Sequence, residues 1–367
     1  MKVRPMKIQH VLLTTISLAI CGGSVAQPLV QGVPNDTRQV PGLETFIEHS
    51  ERLLPYVRSS LGESFIDAVG SLPNQPRRYV WVDRLFTLAY TEAEYAKLDD
   101  RQRRGLNFRP VTELAYYMAI SERPLMDVMP LDLVVMGTEM SASDGLVGKK
   151  VLLYNPRVIT QGRLLASLGA HVTIVHDQQR MAGLYTEPGD VGVVSGHGEL
   201  PDGSLKLIRS AWPAADAEGV SEGYDLILIS DWVSRGLSLK TDQPPRWVTA
   251  GKSLHPLPCE PDEFIEAMAS VLVPGGRLIN YAYGPIQPRI PTSALPYSDV
   301  RLPISSEAIE EAGLEIVTLD ADDTLTLLGA SIATGYNEPM VREEDEMPSM
   351  TTSYTILVKP AGENTPE

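Results

Sequence analysis

The sequence predicts an α/β fold built on a mostly parallel sheet, and three stretches carry this prediction. Residues 151–154 form a short apolar run without alternation, as expected for a strand that is covered on both faces. Leu164 and Leu168 then recur at helical spacing, and residues 172–175 form a second apolar run. Residues 224–230, YDLILIS, read as another buried strand. A strand, a helix and a strand in this order indicate a βαβ unit.

The unit from Gly148 to Asp177 resembles the first half of a class I S-adenosylmethionine-dependent methyltransferase, most closely over the helix and the segment ASLGAHV. The resemblance continues to about residue 360. It implies a seven-stranded, mostly parallel Rossmann-like methyltransferase sheet with an N-terminal helical cap. The further strands that it implies are 204–208, 224–230, 277–283, 314–319 and 353–358.

In that family the first strand leads into a glycine-rich turn over which the cofactor lies. In this chain Leu153 stands at the position of the family's acid, and the glycine positions hold Asn155, Arg157 and either Ile159 or Thr160. Glycine is needed where the backbone approaches a ligand closely or adopts a positive φ. Side chains at these positions therefore argue against ordinary cofactor binding.

The second strand of the unit departs from the family in a similar way. His176 occupies the position of the carboxylate that holds the ribose, and Asp177 follows one residue later. A shift of one residue on a strand turns a side chain to the other face. Trp212, beyond the third strand, is interpreted either as a stacking partner for a base or as a cover for the sheet edge.

If the chain binds S-adenosylmethionine, the resemblance implies a site that runs from the first turn to the second and third strands. Asp231, after the fourth strand, is the candidate catalytic carboxylate, with a helix N-cap as the alternative. No metal site is predicted, because Pro256 and Pro258 separate His255 from Cys259. The candidate cofactor-binding residues are Asn155, Arg157, Thr160, Gly162, Asp177 and Trp212.

The start of the chain has the three parts of a secretory signal peptide. A basic start at Lys2 and Arg4 is followed by a short apolar run over residues 11–21 and by Ser-Val-Ala at residues 24–26. We expect cleavage near Ala26 and export to the periplasm or beyond, with no transmembrane helix in the mature chain. Lipidation of Cys21 is a weaker alternative, because Ile20 is bulky at a position where lipidation signals prefer a small residue.

The predicted organisation has four parts. Residues 1–26 are the signal peptide, 27–144 a leader and helical cap, 145–360 the methyltransferase-like domain and 361–367 a C-terminal tail. Within the cap, Thr91 and Glu94 are spaced as a helix capping box.

Charge and motif content limit the functional classes. The formal net charge is -16 and the isoelectric point is about 4.9, which argues against a nucleic-acid partner. Two hypotheses stay open. One is an exported methyltransferase-fold protein with weakened or lost cofactor binding. It would serve as an envelope binding or structural module, and its partner would be a small molecule or an envelope component. The other is an active methyltransferase with a glycine-poor turn, favoured by the long polar segment 233–262, which has the length of a lid or binding loop.

Overall fold

The computed structural model describes most of the chain beyond the predicted leader. The described residues are 42–75, 78–84, 87–117, 122–136, 145–220, 223–230, 236–239, 246–247, 257–285, 296–334 and 350–361.

The cap, defined here as the described residues from 42 to 136, combines helices with a small sheet. Its helices are α1 (Leu43–Glu51), a 3₁₀ turn (Leu54–Tyr56), α2 (Ser60–Val69), α3 (Glu92–Tyr95), α4 (Asp100–Arg103), α5 (Glu113–Tyr117) and α6 (Glu122–Met136). Its strands are β1 (Arg78–Val82), β2 (Ala89–Tyr90) and β3 (Asn107–Val111), which pair antiparallel in the order β2-β1-β3.

The small sheet is a feature of the cap that helical periodicity does not predict. Along β1, Val80 and Val82 are buried, whereas Trp81 between them is half-buried, which is the alternation of a strand with one covered face. The capping box predicted at the start of α3 is confirmed, since the Thr91 side chain accepts from the Glu94 N–H and the Glu94 carboxylate accepts from the Thr91 N–H.

The remaining elements build the main domain. In chain order they are β4 (Lys150–Tyr154), α7 (Thr160–Ser167), β5 (His171–His176), α8 (Gln179–Leu184), β6 (Gly192–Val194), β7 (Gly203–Arg209), β8 (Tyr224–Ser230), β9 (Gly236–Leu239), β10 (Arg246–Trp247), α9 (Pro261–Val271), β11 (Leu272–Pro285), β12 (Pro296–Asp299), α10 (Ser306–Glu311), β13 (Glu315–Asp322), α11 (Thr324–Thr334) and β14 (Met350–Val358).

Within the described part of the chain, the main sheet has eight strands in the order β13-β14-β11-β8-β4-β5-β7-β6. Neighbours among β11, β8, β4, β5 and β7 are parallel, whereas β14 runs antiparallel to both β11 and β13. The predicted seven-stranded, mostly parallel sheet is therefore confirmed. The chain has a Rossmann-like methyltransferase fold. The additional strand, β6, pairs antiparallel with β7 at the edge.

Strand boundaries agree best where most of the strand is apolar and buried. The predicted fourth strand coincides with β8, Tyr224–Ser230, whose residues from Leu226 onward are all buried. The predicted fifth strand is too short, because β11 begins at Leu272 and includes the Pro-Gly-Gly segment. Its register against β8 shifts between Leu272 and Arg277, so residues 273–276 bulge from the ladder.

Two hydrophobic clusters cover the two faces of the sheet. One joins the cap, α7 and α8 to the sheet, and includes Phe65, Tyr117 and Leu153. The other lies under α9 and α10, and includes Tyr154, Phe264 and Ile309. No helix within the described residues is long and apolar enough to cross a membrane.

Candidate functional site

The carboxyl ends of the parallel strands meet at one edge of the sheet, where open α/β sheets bind their ligands. Three of the predicted site residues follow strands at this edge: Asn155 after β4, Asp177 after β5 and Trp212 beyond β7. Thr160 and Gly162 lie in the first turn of α7, and Arg157 precedes that helix. The candidate catalytic residue Asp231 lies outside the described residues.

Asn155 gives the turn after β4 a conformation that usually belongs to glycine. Its φ is 47°, in the left-handed region, which Asn tolerates better than most residues. Its N–H donates to the Val175 carbonyl at 2.8 Å, and its Oδ1 accepts from the Asp177 N–H at 3.1 Å. The turn thus retains a positive φ without glycine, and the Asn155 side chain ties it to the end of β5.

Side chains from the region of α8 close over the same turn. The Gln178 amide donates to the carbonyl oxygens of Asn155 at 3.0 Å and Pro156 at 2.9 Å. Arg180 Nη2 donates to the Arg157 carbonyl at 2.8 Å. Three consecutive carbonyl groups of the turn therefore already have partners from within the chain.

The cap covers the start of α7 from another side. The Thr160 hydroxyl donates to the Tyr117 carbonyl at 3.1 Å, and Thr160 is fully buried. The Gln161 amide lies 3.3 Å from the Asp127 carbonyl of α6 and 3.5 Å from the Ser230 hydroxyl at the end of β8. The first turn of α7 is consequently enclosed between α5, α6 and the sheet.

Two residues of this segment contribute to packing. Ile159 is 0% exposed and belongs to the core that joins cap and sheet. A Cβ at Gly162 would come within 2.8 Å of Ile174 Cδ1 and 3.0 Å of Leu205 Cδ1, so this glycine lets α7 approach the sheet closely. The assignment of Gly162 to a cofactor stays a prediction, because its contacts here are with β5 and β7.

The end of β5 presents a buried imidazole where the family has its ribose carboxylate. His176 is 2% exposed, and its Nδ1 has no hydrogen-bond partner among the described residues. Burial, assisted by the positive charge of Arg209, lowers the pKa of His176 to about 4. The side chain is therefore neutral at pH 7 and supplies no negative charge for a ribose. Asp177 is exposed.

Trp212 packs against the protein's own aromatic residues on the opposite face of the sheet. Its ring meets the Tyr154 ring at 6.4 Å and 61°, and Tyr154 in turn meets Phe264 at 5.2 Å and 79°. Both contacts are edge contacts of the kind common in cores. Cys259 packs against the same cluster, and burial together with nearby Glu263 and Glu260 raises the pKa of its thiol. A thiol in this environment is poorly suited to act as a nucleophile.

Taken together, these contacts describe a turn that is closed by residues of the chain itself. A cofactor above the turn needs access to the main chain of residues 155–162. All residues of this segment are buried except Arg157, which is half-buried. The carbonyl groups of residues 155–157 accept hydrogen bonds from Gln178 and Arg180. The acid position on β5 is filled by neutral His176.

The turn is closed by hydrogen bonds of Gln178, Arg180 and Tyr117, and the sequence analysis identified none of these three residues. Their hydrogen bonds span 22 to 43 residues along the chain. No periodicity or local motif indicates such pairs.

Within the described residues, no group of three or more His, Cys, Asp or Glu side chains is arranged to hold a metal ion.

No protein-family model matches the chain, and no curated protein matches it. Solved structures similar to it include the [4+2]-cyclase SpnF, at 13% identity and a TM-score of 0.35 over 90% of this chain and 100% of that one. Phosphoethanolamine N-methyltransferase 2 from Haemonchus contortus, in complex with S-adenosyl-L-methionine, matches at 10% identity and a TM-score of 0.34, covering 81% and 74%.

Magnesium protoporphyrin IX methyltransferase ChlM from Synechocystis PCC 6803, with bound S-adenosylhomocysteine, matches at 12% identity and a TM-score of 0.34, covering 65% and 84%. At such identities and TM-scores, nothing about the site of this chain follows from these likenesses.

Proposed function

We propose that this chain is an exported methyltransferase-fold protein with weakened or lost S-adenosylmethionine binding, which acts as a binding or structural module of the cell envelope. The observation that carries the proposal is the closed turn after β4. Asn155, Ile159, Thr160 and Gln161 are each no more than 4% exposed. This burial supports weakened binding, because little of the surface of the turn is open to a cofactor.

The features of the end of β5 and of the N-terminus support the same reading. His176 is neutral at pH 7 and therefore provides no negative charge for a ribose. The basic, apolar and small-residue segments of residues 1–26 indicate export, and S-adenosylmethionine is made in the cytosol. An exported enzyme would need its own supply of the cofactor.

Calorimetric titration of the mature chain with S-adenosylmethionine and S-adenosylhomocysteine tests the loss of binding. We expect no dissociation constant tighter than about 100 μM, which corresponds to about -5.5 kcal/mol. A tighter constant for either compound would overturn the proposal.

Export is tested separately: mass spectrometry of the protein from its own host should find an N-terminus at or near Gln27, and an intact Met1 would contradict it.

An active S-adenosylmethionine-dependent methyltransferase is the second candidate, and two observations favour it. Asn155 keeps the left-handed conformation, and the Asp177 carboxylate is exposed beside it. The variant Gln178→Ala separates the candidates, because it frees two carbonyl groups of the turn. If Gln178 blocks the cofactor, the variant should gain weak affinity for S-adenosylmethionine. If the protein is a working enzyme whose turn depends on Gln178, the variant should lose affinity.

A further inference from the structure

The small sheet of the cap carries aromatic side chains on the face that points away from the core. Both valines of β1 are buried, so Tyr79 and Trp81 lie on the opposite, outer face of that strand. The strand register places Tyr90 of β2 and Phe108 of β3 directly across from Trp81. Directly opposed residues of antiparallel strands share a face, so a row of aromatic side chains crosses the whole sheet. We call this surface, formed by Tyr79, Trp81, Tyr90 and Phe108, the aromatic face.

The rings on the aromatic face pack against one another. Tyr95 of α3 lies nearly parallel to Trp81, with 3.7 Å between the ring centroids and 5° between the planes. The Phe108 ring lies 5.1 Å from the Trp81 ring and 5.1 Å from the Tyr79 ring. The Arg103 guanidinium lies over the Tyr95 ring at 5.1 Å. These contacts form a continuous layer, and its rings are too close together to admit another ring between them.

Helix α3 covers one end of this layer, and the other end is open to solvent. Phe108 is 51% exposed, and both rings that it contacts belong to β1. Among the described strands β3 is an outer strand of the small sheet, so the far side of Phe108 lies at the edge of that sheet. Pro110, two residues further along β3, lies on the same face and is also exposed. The protein therefore leaves an apolar, aromatic surface uncovered at this edge.

The size of the aromatic face limits what can bind to it. Its longer strands have five residues each, which gives a surface of about 10 Å by about 17 Å, or about 170 Å². A stable protein–protein interface buries about 800 Å² on each partner. The face is therefore too small for a second copy of this chain or for another globular protein. A single extended polymer chain matches its dimensions.

Two classes of extended polymer that stack on aromatic rings match this face poorly. Single-stranded nucleic acid needs a positively charged groove along its backbone, whereas the chain has a net charge of -16. Proline-rich peptides dock into grooves between aromatic rings, and here the gaps between the rings are closed by their mutual stacking.

A polysaccharide has the chemistry that the aromatic face can recognise. One side of a sugar ring presents C–H groups, which pack against the electron-rich face of an aromatic ring, while the hydroxyl groups point outward. An outer strand presents main-chain N–H and C=O groups that no neighbouring strand uses, and β3 places such groups beside Phe108. The rings themselves carry no charge and the chain is acidic, so an uncharged polysaccharide is favoured over an anionic one.

We propose that the aromatic face of the cap binds an uncharged, extended polysaccharide. A sugar ring would lie against Phe108 and Tyr79, and its hydroxyl groups would bond the edge of β3. The row from Tyr90 to Phe108 spans two strand spacings, about 10 Å, which is long enough for more than one sugar ring. This inference deepens the proposed role as a binding module and rests on it for the source of the polysaccharide, the cell envelope. Binding itself requires neither export nor the turn after β4.

Calorimetric titration of the full chain with cellopentaose, an uncharged and extended β-linked glucan, tests the inference. We expect a dissociation constant of about 1 mM or tighter, which is ordinary for a short sugar chain on a small surface. Maltopentaose contains the same sugars in α-linkage and is curved, so it should bind at least about threefold more weakly. Oligothymidylate and oligoproline represent the two other polymer classes, and both should bind more weakly than cellopentaose.

Variants at Phe108 separate the contribution of its ring from that of an apolar side chain in general. Phe108→Ala and Phe108→Leu should each weaken cellopentaose binding at least about fivefold, because both remove the aromatic ring. Phe108→Tyr keeps the ring and should bind within about twofold of the unmodified protein. The matched control is Leu325→Ala, at a 79% exposed apolar residue of α11, which should leave binding unchanged.

Four results would overturn the inference. They are no binding of cellopentaose at about 5 mM, equal binding of maltopentaose, unchanged binding in Phe108→Leu, and binding of oligothymidylate or oligoproline as tight as that of cellopentaose. If Phe108→Ala does not fold, the pair Phe108→Leu and Phe108→Tyr still decides, since only the first loses the ring. Binding of S-adenosylmethionine would contradict the proposed function and leave the polysaccharide result untouched, whereas absence of cellopentaose binding would contradict this inference alone.

Discussion

The two faces of the main sheet are closed by different kinds of interaction. Under α9 and α10 the sheet packs through an apolar cluster that includes Ile227, Phe264 and Ile309. On the cap side the apolar cluster is joined by buried carboxylates, among them Asp132, Asp190 and Asp323. Among the described residues, ion pairs between side chains accompany burial on the cap face, whereas the other face adds hydrogen bonds such as those from Lys359 to the Ala269 and Leu272 carbonyl groups.

The Asp190 carboxylate is the most connected of these groups. It accepts from Arg78 at 2.9 and 3.0 Å and from the Tyr116 hydroxyl at 2.9 Å, and Arg78 also lies over the Tyr116 ring. Burial alone would lower the pKa of Arg78, but its hydrogen bond to Asp190 and the charge of that carboxylate raise it overall. Asp190 thereby fastens β1 and α5 of the cap to the loop after α8.

A second set of charges fastens the cap at the other end. Arg58 binds Asp323 through two hydrogen bonds of 3.1 and 3.2 Å and lies 3.9 Å from Asp132, which also accepts from the Ser59 hydroxyl at 2.7 Å. Burial raises the pKa of Asp132. The cap is therefore docked by a few specific polar pairs in addition to the apolar cluster that joins it to the sheet.

Removal of the Asp190 carboxylate should have the largest effect. Asp190→Ala leaves Arg78 buried without its partner, since the two side chains are only 3% and 12% exposed. We expect the free energy of unfolding to fall by about 3–5 kcal/mol, measured by urea denaturation.

Two controls accompany this variant. The double change Arg78→Met with Asp190→Leu should cost much less, because no charge is left unpaired. Arg52→Ala, which breaks a pair that is 44% and 59% exposed, should cost no more than about 1 kcal/mol. A loss below about 1 kcal/mol for Asp190→Ala would show that the cap does not depend on this pair.

The pH dependence of stability should contain a contribution from His176. Its pKa of about 4 in the fold lies below the unfolded value of about 6.5, so the unfolded chain binds the proton first. This contribution is absent above pH 6.5 and destabilises the fold as the pH falls toward 4, by about 2 kcal/mol at pH 5.

His176→Gln should remove that loss, and the difference in unfolding free energy between pH 7 and pH 5 should shrink accordingly. The matched control is His171→Gln, at the exposed start of the same strand. An unchanged pH profile in His176→Gln would mean that the imidazole is hydrated in solution.

The smallest effect is expected on the apolar face. Ile309→Val, at a fully buried position of α10, should cost about 1 kcal/mol through the loss of one methylene group. Because its cluster consists of apolar side chains, the cost should be the same at pH 5 and pH 7. A cost that differed between the two values by more than about 0.5 kcal/mol would contradict the contrast between the faces.

The elements that the sequence predicts best are those whose signal is local. Strand β8 was predicted with the bounds that the structure has, because a nearly uninterrupted apolar run is a local property. The strands of the cap were missed, because β1 to β3 are short and one of their faces is partly exposed.

The candidate site shows where local reasoning ends. The resemblance implies glycine positions at Asn155 and at Ile159 or Thr160, and the structure treats them differently. Asn155 adopts a glycine-like conformation, whereas Ile159 and Thr160 are fully buried. The closure of the turn by Gln178, Arg180 and Tyr117 depends on tertiary contacts, which no spacing indicates.

Hydrogen exchange at residues 155–162 tests the central claim most directly, since that claim is the closure of the turn by the chain itself. The account predicts slow exchange in the free protein, because the Asn155 N–H is bonded to Val175 and the segment is buried. It also predicts no change when S-adenosylmethionine is added at about 1 mM, tenfold above the 100 μM limit set for binding. Fast exchange in the free protein that slows with the cofactor would contradict it.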